Sequence, residues 1–167
     1  MNDIKKNILE RDLNPYHSFL SAFFAGMAEL GLVNQGSMNI VARRAAEYLY
    51  SYLEAKEILP DMDQVPGETK VEVVRNLILY INRLLSLMGG YDFQLSDQDL
   101  AVLTIEAKKC RICPKGVGGA EVKGTICPIP SFLAGLVNRI SGEKLVKLNS
   151  TGIEKDGDLC RAYYQIL

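Results

Sequence analysis

Gly89-Gly90-Tyr91-Asp92-Phe93-Gln94-Leu95 is where the chain changes its period. Before it, apolar residues recur at helical spacing. After the paired glycines, Tyr91, Phe93 and Leu95 alternate with Asp92 and Gln94, the two-residue period of a half-buried strand. Helices followed by strands give an α+β fold: N-terminal helices packed on a mostly antiparallel sheet that carries one inserted helix.

Working back from this boundary, Thr69 opens a helix and Glu72, three residues later, completes a capping box. Ile78, Ile81, Leu84, Leu85 and Met88 form its apolar stripe, and Gly89-Gly90 is expected to stop it. An earlier helix should run from Ser37 to about Lys56, with Val41, Ala45, Tyr48, Leu49, Tyr52 and Leu53 as its stripe. The first helix starts at Asn14-Pro15, a cap followed by proline at the first helical position, and ends near Leu30-Gly31. Its face, with Phe19, Leu20, Phe23, Phe24 and Met27, is broad and aromatic.

Working forward, Ser96-Asp97-Gln98-Asp99 reads as a turn and Leu100 to Lys109 as a second strand. A glycine-rich loop from Gly116 to Gly124 follows and reads as a flexible flap. Pro128 and Pro130 open the inserted helix, which Gly142 ends. The last strands are about Lys144 to Ser150 and Leu159 to Leu167, turned by Asp156-Gly157. The 167 residues read as a single domain, with a helical part over 1–68 and a zinc-stabilised part over 69–167. A chain of this size buries roughly 70% of its unfolded surface, so a core is feasible without staples.

All four cysteines lie in the last third: Cys110, Cys113, Cys127 and Cys160. Two make a C-x-x-C knuckle, the third follows after 13 residues and the fourth after 32 more. A tetrahedral metal site needs four soft ligands, commonly with one close pair, so the expectation is structural zinc held by these four residues. Four unrelated buried thiols, a four-cysteine iron–sulfur cluster and a thiol redox switch remain alternatives. Lys108, Lys109, Arg111, Lys115 and Arg161 are expected to offset the charge of a thiolate-bound metal. Net charge is -1, from 19 basic and 20 acidic residues, which argues against nucleic-acid binding. No apolar run is long enough for a membrane span, and charge breaks the N-terminal sequence where a targeting signal would stand; the expected setting is cytoplasmic.

The C-terminal two thirds resemble the 4-vinyl reductase, or hydrocarbon-binding, domain family. Cys127 with its following glycine-containing helix carries the resemblance, together with Gly157-Asp158-Leu159-Cys160-Arg161-Ala162-Tyr163. In that family a similar Gly-Asp-x-x-Cys segment closes the domain. The stretch Leu148-Asn149-Ser150-Thr151-Gly152 lacks the Glu and Cys that family members often carry there. Taking this departure into account, Cys110 and Cys113 are inferred to replace those ligands. The resemblance implies a fold related to vesicle-tethering subunits and haem nitric-oxide sensor domains, with an apolar pocket for a small aromatic or hydrocarbon ligand and a homodimer.

Phe19, Phe23, Tyr48 and Tyr52 are the candidate pocket lining, against the plainer reading of an aromatic core. His17, the sole histidine, sits in a helix first turn and reads as solvent-exposed or capping. No catalytic set can be assembled, so the expected function is a non-enzymatic sensory or binding domain for an apolar ligand. The alternatives are a dimeric assembly module and a reductase-related enzyme acting on a tetrapyrrole.

Overall fold

The computed structural model describes residues 3–97 and 99–167, leaving aside the side chains at 3, 4 and 150–152. Among the described residues the fold is α+β. Four helices come first: α1 (Asp3–Glu10), α2 (Pro15–Glu29), α3 (Gln35–Ala55) and α4 (Lys70–Leu85). Strands β1 (Tyr91–Asp97) and β2 (Leu100–Glu106) follow, then helix α5 (Ile129–Ser141) and strands β3 (Val146–Asp156) and β4 (Leu159–Ile166). The strands form one sheet in the order β1-β2-β4-β3, and every neighbouring pair is antiparallel. The expected α+β architecture with one inserted helix is therefore present.

Alternation decides which face of the sheet is covered. Ala101, Leu103 and Ile105 of β2 are buried, as are Ala162, Tyr164 and Ile166 of β4 and Phe93 of β1. Helix α5 packs on that face, with Leu133, Leu136 and Val137 fully buried, and α3 stacks on α5. The two helices approach closely because Gly135 has no Cβ: one built there would lie 3.1 Å from the Cβ of Ala46. Tyr164 Oη donates to the carbonyl of Pro130 at 3.0 Å, tying the sheet to the start of α5.

Capping explains most helix starts. Thr69 and Glu72 form the expected capping box of α4. Helix α3 begins two residues before Ser37, because the Asn34 side chain accepts from the N–H of Ser37 and fixes the cap there. Helix α4 ends at Leu85, short of the glycines, because Ser86 turns left-handed at φ 52. Strand β2 stops at Glu106 and a 3-10 turn takes Ala107–Lys109. Strand β3 runs on to Asp156 across an irregularity between Asn149 and Ile153. The expected turn at 96–99 includes Gln98, which lies outside the described residues. Among the described residues no helix is long and apolar enough to cross a membrane.

Candidate functional site

The knuckle is held from the far end of the chain. Arg11 Nη1, in the link from α1 to α2, donates to the carbonyls of Ala107 and Cys110, both at 2.8 Å. Arg111 answers, its Nε donating to the carbonyl of Arg11 at 2.8 Å and its Nη1 to that of Ser86 at 3.0 Å. The Cys113 carbonyl accepts from Val117 and Gly118, and its Sγ from the N–H of Gly116 at 3.2 Å. Gly118 then presses on α2; a Cβ there would fall 2.2 Å from the carbonyl oxygen of Ser21. The first half of the expected flap is thus a hydrogen-bonded, packed turn, with Ala120 buried at its end.

Cys127 is placed by α3. Its N–H donates to Gln35 Oε1 at 2.8 Å and its carbonyl accepts from Gln35 Nε2 at 3.0 Å. Cys160 sits in β4 between Ile105 of β2 and Lys155 of β3. Cys110 belongs to the main apolar core, and the other three cysteines pack against it. All four are free thiols.

Burial pushes the Cys110 thiol up to about 12, and Cys113 and Cys160 add to the rise. Burial likewise lifts Cys127 well above the usual thiol range, with Cys110, Cys113 and Cys160 contributing. Cys160 is raised first by burial and then by Cys113, against a lowering from Lys155. Among the described residues no group of three or more His, Cys, Asp or Glu is arranged to hold a metal ion. Cysteine sulfurs are the soft donors zinc takes, and all four belong to or pack against one apolar core.

The expected cations are largely engaged elsewhere. Lys108 pairs with Asp158 at 2.7 Å, Lys109 with Glu106 at 2.8 Å and Arg161 with Asp156 at 2.6 Å. Lys115 donates to the carbonyl of Gly124. The positive charges that act on the thiols are Arg11, at Cys110, and Lys155, at Cys160. Arg11 is 99 residues from Cys110, so no local spacing points to it.

Beside the knuckle lies a cavity of about 420 Å³ between α2, α3 and the end of α4. Leu20 and Phe24 form one wall and Val41, Ala45 and Leu49 another. Its floor includes Ile112, the residue inside the C-x-x-C, and Pro128, the residue after Cys127. The cysteine segments therefore build part of this cavity. Asn14, Tyr16 and His17 bring the polar groups.

His17 caps as expected but is buried, at 4% exposure. Its Nδ1 accepts from the N–H of Asn14 at 3.3 Å and its Nε2 donates to the carbonyl of Leu85 at 3.1 Å. Both ring nitrogens are thus engaged, and the contacts fit the tautomer protonated at Nε2.

Phe19, Phe23, Tyr48 and Tyr52 do not line the cavity. They are exposed at 66, 53, 68 and 55% respectively. The cavity lies between the same two helices, but other edges of them line it, because a helix turns about 100° per residue and one step moves a side chain from the lining to the outer rim. Leu20 and Phe24 take the places expected for Phe19 and Phe23, and Ala45 and Leu49 those expected for Tyr48 and Tyr52. The signal that distinguishes them is the burial of His17, Ser21, Ala25 and Ala28, which turns α2 by its small residues.

The model of the MJ0207 family matches residues 31–166, most of the chain. The chain belongs to the MJ0207 family. The matched region holds α3, α4, the sheet, α5 and all four cysteines; α1 and α2 precede it. This MJ0207-family chain is also similar to a protein of Methanocaldococcus jannaschii described as uncharacterized protein MJ1342, with 40% identity over 58 residues. That stretch is 35% of this chain and 47% of the relative, so the chain spans about half the length of the curated relative it matches.

Proposed function

We propose that this MJ0207-family protein is a non-enzymatic binding domain for a small apolar ligand, acting as a homodimer in a cytoplasmic setting. The observation that carries the reading is the 420 Å³ cavity with apolar walls and a few polar groups at one end. Small-molecule sites are of this size, roughly 300–1,000 Å³, and of this composition. His17 has both nitrogens in structural hydrogen bonds, so it is not offered as an acid or base in the cavity. The resemblance of the cysteine segments to the 4-vinyl reductase domain supplies the ligand class, an aromatic or hydrocarbon molecule.

In this reading Cys110, Cys113, Cys127 and Cys160 hold structural zinc. When bound, the ion supplies cross-linking of three segments. The chain's own residues do the rest: Ile112 and Pro128 present the floor, Leu20 and Phe24 the wall, and Asn14 and Tyr16 the groups that orient a ligand.

The test is titration of the full chain with the neutral fluorophore N-phenyl-1-naphthylamine. Wild type should enhance its emission saturably. Ala45→Trp, at the rim of the cavity, should weaken that binding at least ~tenfold while circular dichroism stays unchanged, since removing or filling apolar space is worth about 1–3 kcal/mol. Equal binding by both proteins would place the probe elsewhere and remove the reading. The assembly-module alternative is favoured by the exposed aromatics on α2 and α3.

A further inference from the structure

We infer that a second copy of this chain docks on the aromatic edge shared by α2 and α3 and closes the mouth of the cavity; the inference rests on the binding-domain reading and gives its dimer an interface.

Helix α2 is inverted relative to an ordinary surface helix. Its inward residues are small or polar: His17, Ser21, Ala25 and Ala28. Its large residues Tyr16, Phe19 and Phe23 point out, 78%, 66% and 53% exposed, and Leu30 at its C-cap is 75% exposed. Phe19 and Phe23 stack on each other at 6.1 Å instead of on the core. An exposed contiguous apolar face of this kind marks an interaction surface.

The order of residues round each helix fixes where this face lies. On α2 the buried edge (Ser21, Ala25) is followed by the cavity edge (Leu20, Phe24) and then by the aromatic edge (Phe19, Phe23). On α3 the same order is Ala42 and Ala46, then Ala45 and Leu49, then Tyr48 and Tyr52. The two aromatic edges therefore flank the cavity, and Tyr16, Leu20 and Val41 belong to both the cavity and the exposed face.

Two observations select a second copy as the occupant. The first is area. Tyr16, Phe19, Phe23, Tyr48 and Tyr52 are each more than half exposed. At about 200 Å² for a whole aromatic side chain they alone offer on the order of 600 Å². That is most of the ~800 Å² per partner of a standard interface. The second is charge. From Pro15 to Ala28 the chain has no Asp, Glu, Lys or Arg. The α2 edge therefore has no field to match a charged partner, yet meets its own copy across a two-fold axis without like-charge contact. The α3 edge differs: Arg44, paired with Glu47, lies over the Tyr48 ring at 5.1 Å and Lys56 over the Tyr52 ring at 6.0 Å, so the two-fold axis falls on the uncharged α2 edge.

Sedimentation velocity of the full chain across roughly 1 to 100 μM should show a dimer. Phe23→Arg, which sets like charges together across the axis, should raise the dissociation constant at least ~tenfold, and Tyr48→Arg should do the same from α3. Both side chains are exposed in the monomer, so circular dichroism and melting should not change. A wild type that stays monomeric at the highest concentration overturns the inference, as does a Phe23→Arg protein that dimerises like wild type. A monomer that floats with phosphatidylcholine vesicles also overturns it and assigns the face to lipid. The N-phenyl-1-naphthylamine titration separates the two readings: a monomer that binds the fluorophore sinks the interface and leaves the cavity standing. A dimer that ignores the fluorophore keeps the interface and removes the ligand.

Discussion

The α3–α5 seam and the α2–α3 seam are built to opposite rules. At the first, Gly135 meets Ala46, and the opposite side of α5 is fully buried at Leu133, Leu136 and Val137. At the second, two helices are held apart by a cavity of about 420 Å³, and the large side chains lie outside. The open seam is held at its margins by specific polar contacts: Arg11 and Arg111 at the knuckle, His17 to Leu85, and Gln35 to Cys127. A domain divided in this way draws stability from one half and leaves the other free to accept something. The cysteines stand between the two, since Cys110 belongs to the core while Ile112 and Pro128 belong to the cavity.

If the four cysteines hold zinc as proposed, removing it is the most severe way to break the contrast. Structural zinc contributes about 10–16 kcal/mol in small peptides, so chelating it from the native protein should cost several kcal/mol. Cys127→Ser should abolish stoichiometric zinc in native mass spectrometry and make melting insensitive to chelator. Unchanged metal content in that variant would reject the site, and a coloured wild type would point to iron–sulfur instead. The next effect compares the seams directly. Leu136→Ala, in the dense half, should lower the unfolding free energy by ~3 kcal/mol, the cost of lost burial plus a cavity. Phe24→Ala, beside space that is already open, should cost about 1 kcal/mol in urea unfolding. Equal losses would mean that the cavity is as tightly packed as the core.

The dense half was the legible half. The change of period at Gly89-Gly90, the Thr69/Glu72 capping box and the alternation of Tyr91, Phe93 and Leu95 all follow from local chemistry. Helix α1 is not among the expected elements, because eight residues, four of them charged, are too short a run for a helical period to stand out. The open half was misread by one helical step. Aromatic residues normally face inward, so Phe19 and Tyr48 were assigned to the lining, whereas small residues set the rotation of α2. Arg11 was out of reach for another reason. Its partners Ala107 and Cys110 are nearly a hundred residues away, and only the closed fold brings them together.

The smallest effect tests how dry the dense half is. Tyr164 is fully buried, and burial holds its hydroxyl well above the usual tyrosine range. Its folded value thus exceeds the unfolded one, near 10. The resulting stability is complete below about pH 10 and is lost as pH rises from there toward the folded value, by at most ~1.4 kcal/mol per pH unit. At neutral pH the hydroxyl donates to the Pro130 carbonyl, so Tyr164→Phe should cost about 1 kcal/mol there. Above pH 10 phenylalanine has nothing to ionise in the unfolded chain, and the deficit should shrink and then reverse. Urea midpoints for the two proteins should therefore converge on raising the pH from 7 to 11. Parallel curves would show that water reaches Tyr164 and that the α5–sheet contact is looser than its geometry implies.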